Sequence, residues 1–399
     1  MKLDASILDK DAHREFRRFF KNTGLGIWER KIAKIQSLPT LSAPSPNAYR
    51  DSLANRNPLT RDIAAFLKID RGGKVFHKHA TDQLMKTCWY LKIANACFSQ
   101  LGSTACHKIK SILLDDETVR SFLFELDMAT HFFRRGLDVK FVDLEDLGTF
   151  DLLVSDGQCE LEVECKTKSA DAGRKITRGN FSLLCDVLAV DLQPLNESLA
   201  VLFKCDGRLS GSQQLFHEIA GEIKRCRANQ ETRGGVNELE FELRILPPRT
   251  TIRTREDATA ALEPIWSDNA HHFVLSGSQT LLLACESTVR NQVLKAIYDD
   301  LRHGAGQLSR TRPSLIACQL EDIYDEDWDQ LTGDTGLAVM SMRLLRSSDR
   351  KHVNYVVYSS NKTPPTKTIG VTSFSATNLK FENKNAVHSF PREFFQVDS

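Results

Sequence analysis

The sequence predicts an α/β protein whose first part is helical. The N-terminal third carries apolar residues at three- and four-residue spacing, which is typical of amphipathic helices. From about residue 115 onward, strand-like segments alternate with helical ones, which favours sheets layered against helices. The chain has 399 residues, of which 41% are hydrophobic and 26% charged. This length exceeds what one hydrophobic core usually organises, so we expect two or three domains.

Residues 1–114 are predicted to form a basic helical domain. Periodic apolar residues predict helices over residues 11–20, 28–35, 60–67, 81–98 and 108–114. This segment holds 20 Lys and Arg against 9 Asp and Glu, whereas the remainder holds 33 against 43. The asymmetry favours a polyanionic partner, most simply nucleic acid, or else a mutual attraction of the basic and acidic modules.

Basic side chains in this segment lie among aromatic ones. The combination suits nucleic-acid binding, although aromatic residues at helical spacing also form ordinary cores. The residues concerned are Arg14, Arg17, Arg18, Lys21, Arg30, Lys31 and Lys34, with Phe16, Phe19, Phe20 and Trp28. No helix-turn-helix or zinc-finger pattern identifies an element that would read a duplex.

Residues 115–230 are predicted to form an α/β core. Gly136 is well placed to end the first helix in a left-handed cap, and the dipeptide Asp156-Gly157 predicts a tight two-residue hairpin turn. The predicted elements are a helix (117–135), three strands (139–142, 150–154 and 159–167), a helix (180–192), a strand (199–205) and a helix (213–226).

Residues 231–399 form a C-terminal α/β region of unknown role. The sequence leaves open whether its strands extend the same sheet or build a separate domain. These strands are predicted over residues 238–245, 272–275, 280–284, 314–319 and 352–359, with a helix over 289–301.

Cysteine spacing and hydropathy indicate the cellular compartment. None of the ten cysteines is spaced as Cys-x-x-Cys and several lie in apolar stretches, so we expect reduced core thiols without a zinc ribbon or a disulfide framework. No apolar run approaches the roughly 20 residues that span a bilayer, and the first residues are too polar for a signal peptide. We therefore expect a cytoplasmic protein that has no membrane partner.

The strand predicted over residues 159–167 alternates without interruption. Its apolar side chains share one face and its charged side chains the other. Glu164 and Lys166 therefore lie about 7 Å apart on one face. A two-residue turn places Asp151 opposite Glu162 and diagonal to Glu164. A register shifted by two residues places Asp151 directly opposite Glu164 and leaves all three carboxylates on the same face.

These residue types suit the hydrolysis of a phosphodiester. Carboxylates such as Asp151 and Glu164 can hold Mg²⁺, which lowers the pKa of a bound water and neutralises charge on a phosphate. Lys166 can orient or help to deprotonate the attacking water, and the carbonyl of Cys165 can supply a further oxygen ligand. The alternative is a solvated face of an edge strand, on which Glu and Lys merely alternate.

The preceding helix contributes another carboxylate. Glu125 lies within an apolar stripe, where a carboxylate is costly unless it is paired or binds a cation. An outer metal ligand, a partner for Lys166 and a salt bridge within the core are the three alternatives. The stripe consists of Val119, Phe122, Leu126, Ala129 and Phe133.

The segment from Glu125 to Lys166 resembles the PD-(D/E)XK, or restriction-endonuclease-like, superfamily. The resemblance rests on Glu125 with the following helix to Gly136, on Thr149-Phe-Asp151, and on Glu162-Val-Glu164-Cys-Lys166. It implies a mixed-sheet core with a glutamate-bearing helix, a hairpin that carries Asp151 and Glu-x-Lys, and a following helix. It also implies that Asp151 and Glu164 are metal ligands and that Lys166 is the catalytic lysine. Phe150 replaces the proline of the motif.

The resemblance implies a Mg²⁺-dependent endonuclease, in which Mn²⁺ can substitute. DNA is the expected substrate, and a prokaryotic antiviral-defence or restriction-like role is the expected setting. The alternatives are a catalytically silent nucleic-acid-binding or assembly protein and a nuclease subunit that a partner activates. A homodimer and a partner-protein complex both remain open. Basic residues after the site either contact phosphates or form a solvated helix start. These are Lys168, Arg174, Lys175 and Arg178.

Overall fold

The computed structural model of the chain contains two compact units. It describes residues 9–36, 57–169, 171–195, 197–247, 250, 252, 257, 260–261, 271–276, 279–321, 331, 336–360 and 378–389. One unit comprises Met1–Ala33, Arg56–Ala172 and Val293–Ser399, and the other comprises Lys34–Asn55 and Gly173–Gln292. This division differs from the three consecutive segments expected from the sequence, because strands of the C-terminal region complete the sheet that begins near residue 138.

The first unit opens with helices. Phe16, Phe19 and Trp28 are fully buried, so these aromatic residues belong to the core. The helices are α1 (Asp9–Thr23), α2 (Leu25–Gln36), α3 (Pro58–Arg71), α4 (Phe76–His79), α5 (Asp82–Gln100), α6 (Ser103–Leu114) and α7 (Val119–Phe133). The sequence also predicts an extended or mobile loop over Ser37–Pro58, which is rich in Pro, Ser and Asn, and most of this stretch lies outside the described residues.

A mixed six-stranded sheet lies in the same unit. Its strands are β1 (Asp138–Phe141), β2 (Leu152–Ser155), β3 (Glu160–Ser169), β9 (Ser314–Glu321), β10 (Val353–Ser360) and β11 (Asn378–Glu382), in that spatial order. β2 runs antiparallel to its two neighbours, β1 and β3, whereas β3, β9 and β10 run parallel to one another. The N-terminal helices and α7 share one apolar core with one face of this sheet.

The other face of the sheet is covered by α10 (Val293–Gln307) and α11 (Leu337–Leu345). Side chains of both helices pack there against Ile316, Cys318 and Val356. Parallel strands need a crossover connection, and α10 lies in the connection that precedes β9.

The second unit is also α/β. Its described strands are β4 (Leu199–Cys205), β5 (Arg233–Val236), β6 (Leu239–Ile245), β7 (His271–Ser276) and β8 (Thr280–Ser287). They form a mixed sheet in the order β5, β6, β4, β8, β7. Helices α8 (Arg178–Asp191) and α9 (Gln213–Ala228) pack against one face of it. The α/β class predicted from the sequence is therefore confirmed, with two mixed sheets among the described residues.

The β2–β3 hairpin corrects one local prediction. Ser155 pairs with Glu160, so four residues connect the strands instead of two. Asp156 makes the longer loop favourable, because its Oδ1 accepts hydrogen bonds from the amides of Gln158 and Cys159 at 2.8 Å and 2.7 Å. The prediction that Asp151 lies opposite Glu162 is therefore wrong.

All ten cysteines are free thiols, and most of them are buried. The expectation that several cysteines lie in the core is confirmed.

Candidate metal centre

Asp151 lies one residue before β2 and faces β3. Leu152 pairs with Val163, so the same register places Asp151 opposite Glu164. The carbonyl of Asp151 accepts a 2.9 Å hydrogen bond from the amide of Val142, which continues the pairing of β1 with β2 beyond the last strand residues. The hairpin thus brings together two carboxylates that lie 13 positions apart in the sequence.

The main chain of β3 orients the Asp151 side chain. Its Oδ2 accepts a 2.6 Å hydrogen bond from the amide of Cys165. The N–H and C=O groups of one strand residue point to the same side, so the Cys165 carbonyl also faces the Asp151 side of β3. The Cys165 thiol is buried in the apolar core. Any ligand atom from this residue is therefore the carbonyl oxygen.

Two further carboxylates converge on Asp151. Glu125 projects from α7, and Asp143 follows β1 two residues after its end. One ligand oxygen from each of Glu125, Asp143 and Asp151 can be chosen so that all three lie within 4.8 Å of one another. Within the described residues, this is the only such group of metal-ligating side chains.

Several oxygens of this cluster lack a hydrogen-bond partner. Glu125 Oε2, Asp143 Oδ1 and Glu164 Oε2 are buried, and none of them accepts a hydrogen bond from the residues that the structure describes. A buried carboxylate oxygen without a partner is unfavourable, because it loses its hydration without compensation. Hard divalent cations prefer such carboxylate oxygens as ligands. The donor set therefore fits a cation of this type.

Burial and mutual repulsion shift the pKa values of these acids upward. Burial raises the pKa of Asp151 to about 6, although the Cys165 amide and the Lys166 ammonium limit the rise. Burial and then the charge of Asp151 raise the pKa of Glu164 to about 8. Burial and the neighbouring charges of Asp151, Asp143 and Glu164 hold the pKa of Glu125 well above its usual range. Without an added positive charge, the cluster cannot be fully ionised near neutral pH.

Lys166 is a cation held beside the cluster. Its Nζ donates hydrogen bonds to Glu164 Oε1 and, at 2.7 Å, to Gln307 Oε1. Burial alone would lower the pKa of Lys166, but the charges of Glu164 and Asp151 outweigh it and raise the pKa. Lys166 is therefore protonated at neutral pH. Its partner is Glu164, and the described structure gives it no hydrogen bond to Glu125.

Helix α10 supplies contacts that the sequence did not indicate. Gln307 Nε2 donates a 2.9 Å hydrogen bond to the Thr149 carbonyl, while Oε1 holds Lys166. Gly304 allows the helix to approach β3 closely. A Cβ atom at this position would lie 3.1 Å from both Glu164 Cγ and Lys166 Cε. Asp300, one turn earlier, forms a 2.5 Å ion pair with Lys168.

Glu162 has a structural role despite its place in the motif. It is fully buried, and its oxygens accept hydrogen bonds from Ser309 and, at 3.2 Å, from Arg312. These partners anchor the turn between α10 and β9 to β3. Since Glu162 is occupied by these partners, the carboxylates of the centre are Glu125, Asp143, Asp151 and Glu164.

The basic residues proposed to contact phosphates divide between the two units. Lys168 lies on β3 in the same unit as the carboxylates and pairs with Asp300. The other three belong to the second unit, where Arg178 begins α8 and the main chain of Lys175 bonds to Asn291 and Leu209. These three residues are Arg174, Lys175 and Arg178.

Asp143 is the main functional candidate that sequence reasoning missed. Its only signal is an acidic residue directly after a short apolar strand, and such residues are common. By contrast, the N-terminal aromatic residues Phe16, Phe19 and Trp28 lie in the hydrophobic core. This is the structural alternative to nucleic-acid binding that the sequence left open.

No protein-family model matches the chain, and no curated protein is significantly similar to it. Within the described part of the chain, no helix is both long and apolar enough to cross a membrane.

Proposed function

We propose that the protein is a metal-dependent nuclease of the PD-(D/E)XK type, which hydrolyses phosphodiester bonds. The observation that carries this proposal is the convergence of four carboxylates beside Lys166, with buried oxygens that have no hydrogen-bond partner among the described residues. The four are Glu125, Asp143, Asp151 and Glu164. Such an arrangement destabilises the folded chain unless a cation is bound. A binding role for a cation therefore accounts for its presence better than a structural role does.

The order of the elements supports the restriction-endonuclease-like assignment. A helix that bears Glu125 precedes a hairpin that carries Asp151 and Glu164-Cys-Lys166, as the resemblance implies. The helix that packs next to the site is α10, which follows β3 only after the 120 residues of Gly173–Gln292. In this interpretation, the second unit is an insertion into the nuclease core.

The cluster fits Mg²⁺, or Mn²⁺ in its place, because all of the side-chain donors are carboxylate oxygens. Asp151, Asp143 and Glu125 would hold the cation, with Glu164 and the Cys165 carbonyl as further oxygen donors. A divalent cation bound there supplies Lewis-acid chemistry, which lowers the pKa of water and offsets the charge of a phosphate.

The protein's own groups orient the reaction. The Cys165 amide donates a hydrogen bond to one oxygen of Asp151, and this contact also fixes the orientation of the other oxygen. Lys166 is cationic and is held by Glu164 and Gln307, which suits it to place an attacking water and to stabilise negative charge that develops on the phosphate. In the metal-free protein the neighbouring carboxylates raise the pKa of Lys166, so Lys166 contributes a positive charge to the site.

DNA is the proposed substrate, and a restriction-like or defence role is the proposed setting. Both follow from the superfamily resemblance and not from a particular base-reading residue. Nucleic acid is accordingly the proposed partner, with a homodimer or an activating protein as further possibilities.

The proposal is tested by incubating the purified protein with supercoiled plasmid, linear duplex, single-stranded DNA and RNA in Mg²⁺, Mn²⁺ or EDTA. We expect cleavage that requires the cation, with DNA cut in preference to RNA. Cleavage of RNA alone would overturn the substrate class but retain the chemistry. If the folded protein cleaves nothing although it binds the cation, a silent scaffold or a partner-activated subunit replaces the present proposal.

A further inference from the structure

A second candidate site lies on the outer side of α10. A cleft of about 950 Å³ opens between α10, α11 and the turn that follows α11. Residues of α10 that face the carboxylates include Gly304, whereas Tyr298 and Arg302 line the cleft. Arg302 lies two residues after Asp300 and two residues before Gly304. It is therefore about 200° around the helix axis from each of them. The cleft is therefore separate from the metal centre.

The cleft is strongly basic. Four arginines and a single aspartate contribute to its wall: Arg302, Arg343, Arg346, Arg350 and Asp349. Asp349 pairs with Arg350 at 3.5 Å. Arg302 and Arg346 form no ion pair within the described residues. Four guanidinium groups around one cavity create a positive potential, which attracts an anion.

Arg350 is the least exposed of the four. Only 14% of its side chain is accessible, although its only described ion pair is with an aspartate that is 52% exposed. The side chain is thus largely buried in the wall of the cleft. A planar guanidinium group can donate two parallel hydrogen bonds to one phosphate or carboxylate.

The same cleft also exposes apolar side chains. Val339 is 52% exposed and Met342 is 36% exposed, and they lie one helical turn apart on α11. Both belong to the small set of large hydrophobic residues that the described structure leaves exposed. On α10, the ring of Tyr298 holds the guanidinium of Arg343 at 5.3 Å from its centroid. The wall therefore offers apolar and planar groups beside its positive charges.

We propose that this cleft binds a nucleotide unit, with the phosphates on the arginines and the base against Met342, Val339 and the Tyr298–Arg343 pair. A free inorganic anion would leave the apolar wall unused, and an apolar ligand would leave the arginines unpaired. A nucleotide satisfies both, because it joins phosphate oxygens to a planar base that stacks on aromatic and guanidinium faces. The unit can come from a free nucleotide or from a strand of nucleic acid.

The test measures binding in EDTA, so that no cleavage occurs, and the comparison of two double variants isolates the contribution of the cleft from that of the metal centre. A fluorescein-labelled single-stranded DNA of 12 nucleotides is titrated by anisotropy at fixed salt, and ATP is titrated by calorimetry. The variant is Arg302→Ala/Arg346→Ala. The control is Arg134→Ala/Lys384→Ala, which removes the same charge from exposed positions of the same unit.

We expect at least tenfold weaker binding by Arg302→Ala/Arg346→Ala and a change of less than twofold in the control. ATP that binds alone and displaces the DNA identifies a free nucleotide as the ligand, whereas binding of DNA only identifies a strand. The inference is overturned if the wild-type protein binds neither probe. It is equally overturned if the two double variants weaken binding to the same extent, since that would indicate non-specific charge attraction.

Discussion

The side-chain carbonyl of Gln307 accepts a 2.7 Å hydrogen bond from the ammonium of Lys166, although the two residues lie 141 positions apart. The amide of the same side chain donates to the carbonyl of Thr149, two residues before Asp151. Gln307 therefore connects the catalytic lysine proposed for β3 with the segment that presents Asp151. Helix α10 is a structural part of the site and not a distant neighbour.

Replacement of Gln307 by alanine is expected to lower the turnover rate of cleavage about 10- to 100-fold, because small displacements of reacting groups cost rates of this order. The change should fall on kcat more than on KM, since Gln307 holds Lys166 and contacts no substrate in this account. Steady-state cleavage assays measure both constants. Gln158→Ala, in the exposed hairpin loop, is the matched control and should keep the wild-type rate. An unchanged kcat in Gln307→Ala would contradict the positioning role.

Asp143→Asn tests the one ligand that the sequence did not indicate. Wild-type protein should gain thermal stability with Mn²⁺, by about 2.7 kcal/mol at a concentration of about 100 times Kd. Asparagine keeps the size of the side chain but removes its charge, so we expect at least tenfold weaker affinity. Calorimetric titration of Mn²⁺ into both proteins measures this. Glu145→Gln removes an exposed carboxylate two residues away and should bind like the wild type. Equal Mn²⁺ affinities for all three proteins would show that Asp143 is not a ligand of the cation.

The metal-free protein should lose stability as the pH rises. Glu164 has an ordinary pKa of 4.5 and a folded-state pKa of about 8, because of burial and then the charge of Asp151. As the pH rises, the Glu164 carboxyl therefore loses its proton in the unfolded chain before it does so in the folded protein. Its contribution to the free energy of unfolding is complete below about pH 4.5 and is lost progressively up to about pH 8. Each pKa unit corresponds to about 1.4 kcal/mol, so the loss amounts to a few kcal/mol.

Glu164→Gln should remove most of this pH dependence. Urea unfolding in EDTA at pH 5, 6.5 and 8 should find the variant similar to the wild type at pH 5 and more stable at pH 8. The exposed substitution Glu117→Gln serves as the control and should follow the wild-type curve. A wild-type stability that rises between pH 5 and 8 in parallel with Glu164→Gln would show that Glu164 is not held in its protonated form.

Two glycines in α10 offer a matched pair of substitutions. Gly304→Ala places a methyl group 3.1 Å from Glu164 Cγ and Lys166 Cε, whereas Gly306→Ala meets nothing within 4 Å. Alanine favours a helix over glycine by up to about 1 kcal/mol. Gly306→Ala should therefore be slightly stabilised with normal cleavage. Gly304→Ala should lose roughly tenfold in cleavage rate, because Glu164 and Lys166 must shift. Equal activity in the two variants would show that close packing of α10 does not position the site.

The parts of the site that depend on local sequence were predictable. Alternation in residues 159–167 identifies β3 and its charged face, and the helical stripe around Glu125 identifies α7. Gly136 has a φ of +76°, which agrees with its predicted role at the end of that helix. These features follow from residues within one or two turns or strand lengths, where spacing alone determines which side chains share a face.

The remainder depends on contacts between distant segments. Strand β9 pairs with β3 from Ser314 opposite Glu162, after an intervening unit of about 120 residues. No local pattern shows which later strand completes the sheet, so the predicted core boundary at residue 230 missed both β9 and α10. The hairpin register differed for a local reason, since the hydrogen bonds of Asp156 favour a loop of four residues.

The assignment of a nuclease centre is tested by the cleavage of supercoiled plasmid in Mn²⁺. The proteins compared are the wild type, Asp151→Asn, Lys166→Met and Glu145→Gln. Each protein is first verified as folded by circular dichroism. We expect nicking by the wild type and Glu145→Gln, no nicking in EDTA, and at least 1,000-fold slower nicking by Asp151→Asn and Lys166→Met. Full activity in either of these two variants, or no cleavage by a folded wild-type protein that binds Mn²⁺, would contradict a nuclease centre at Asp151 and Lys166.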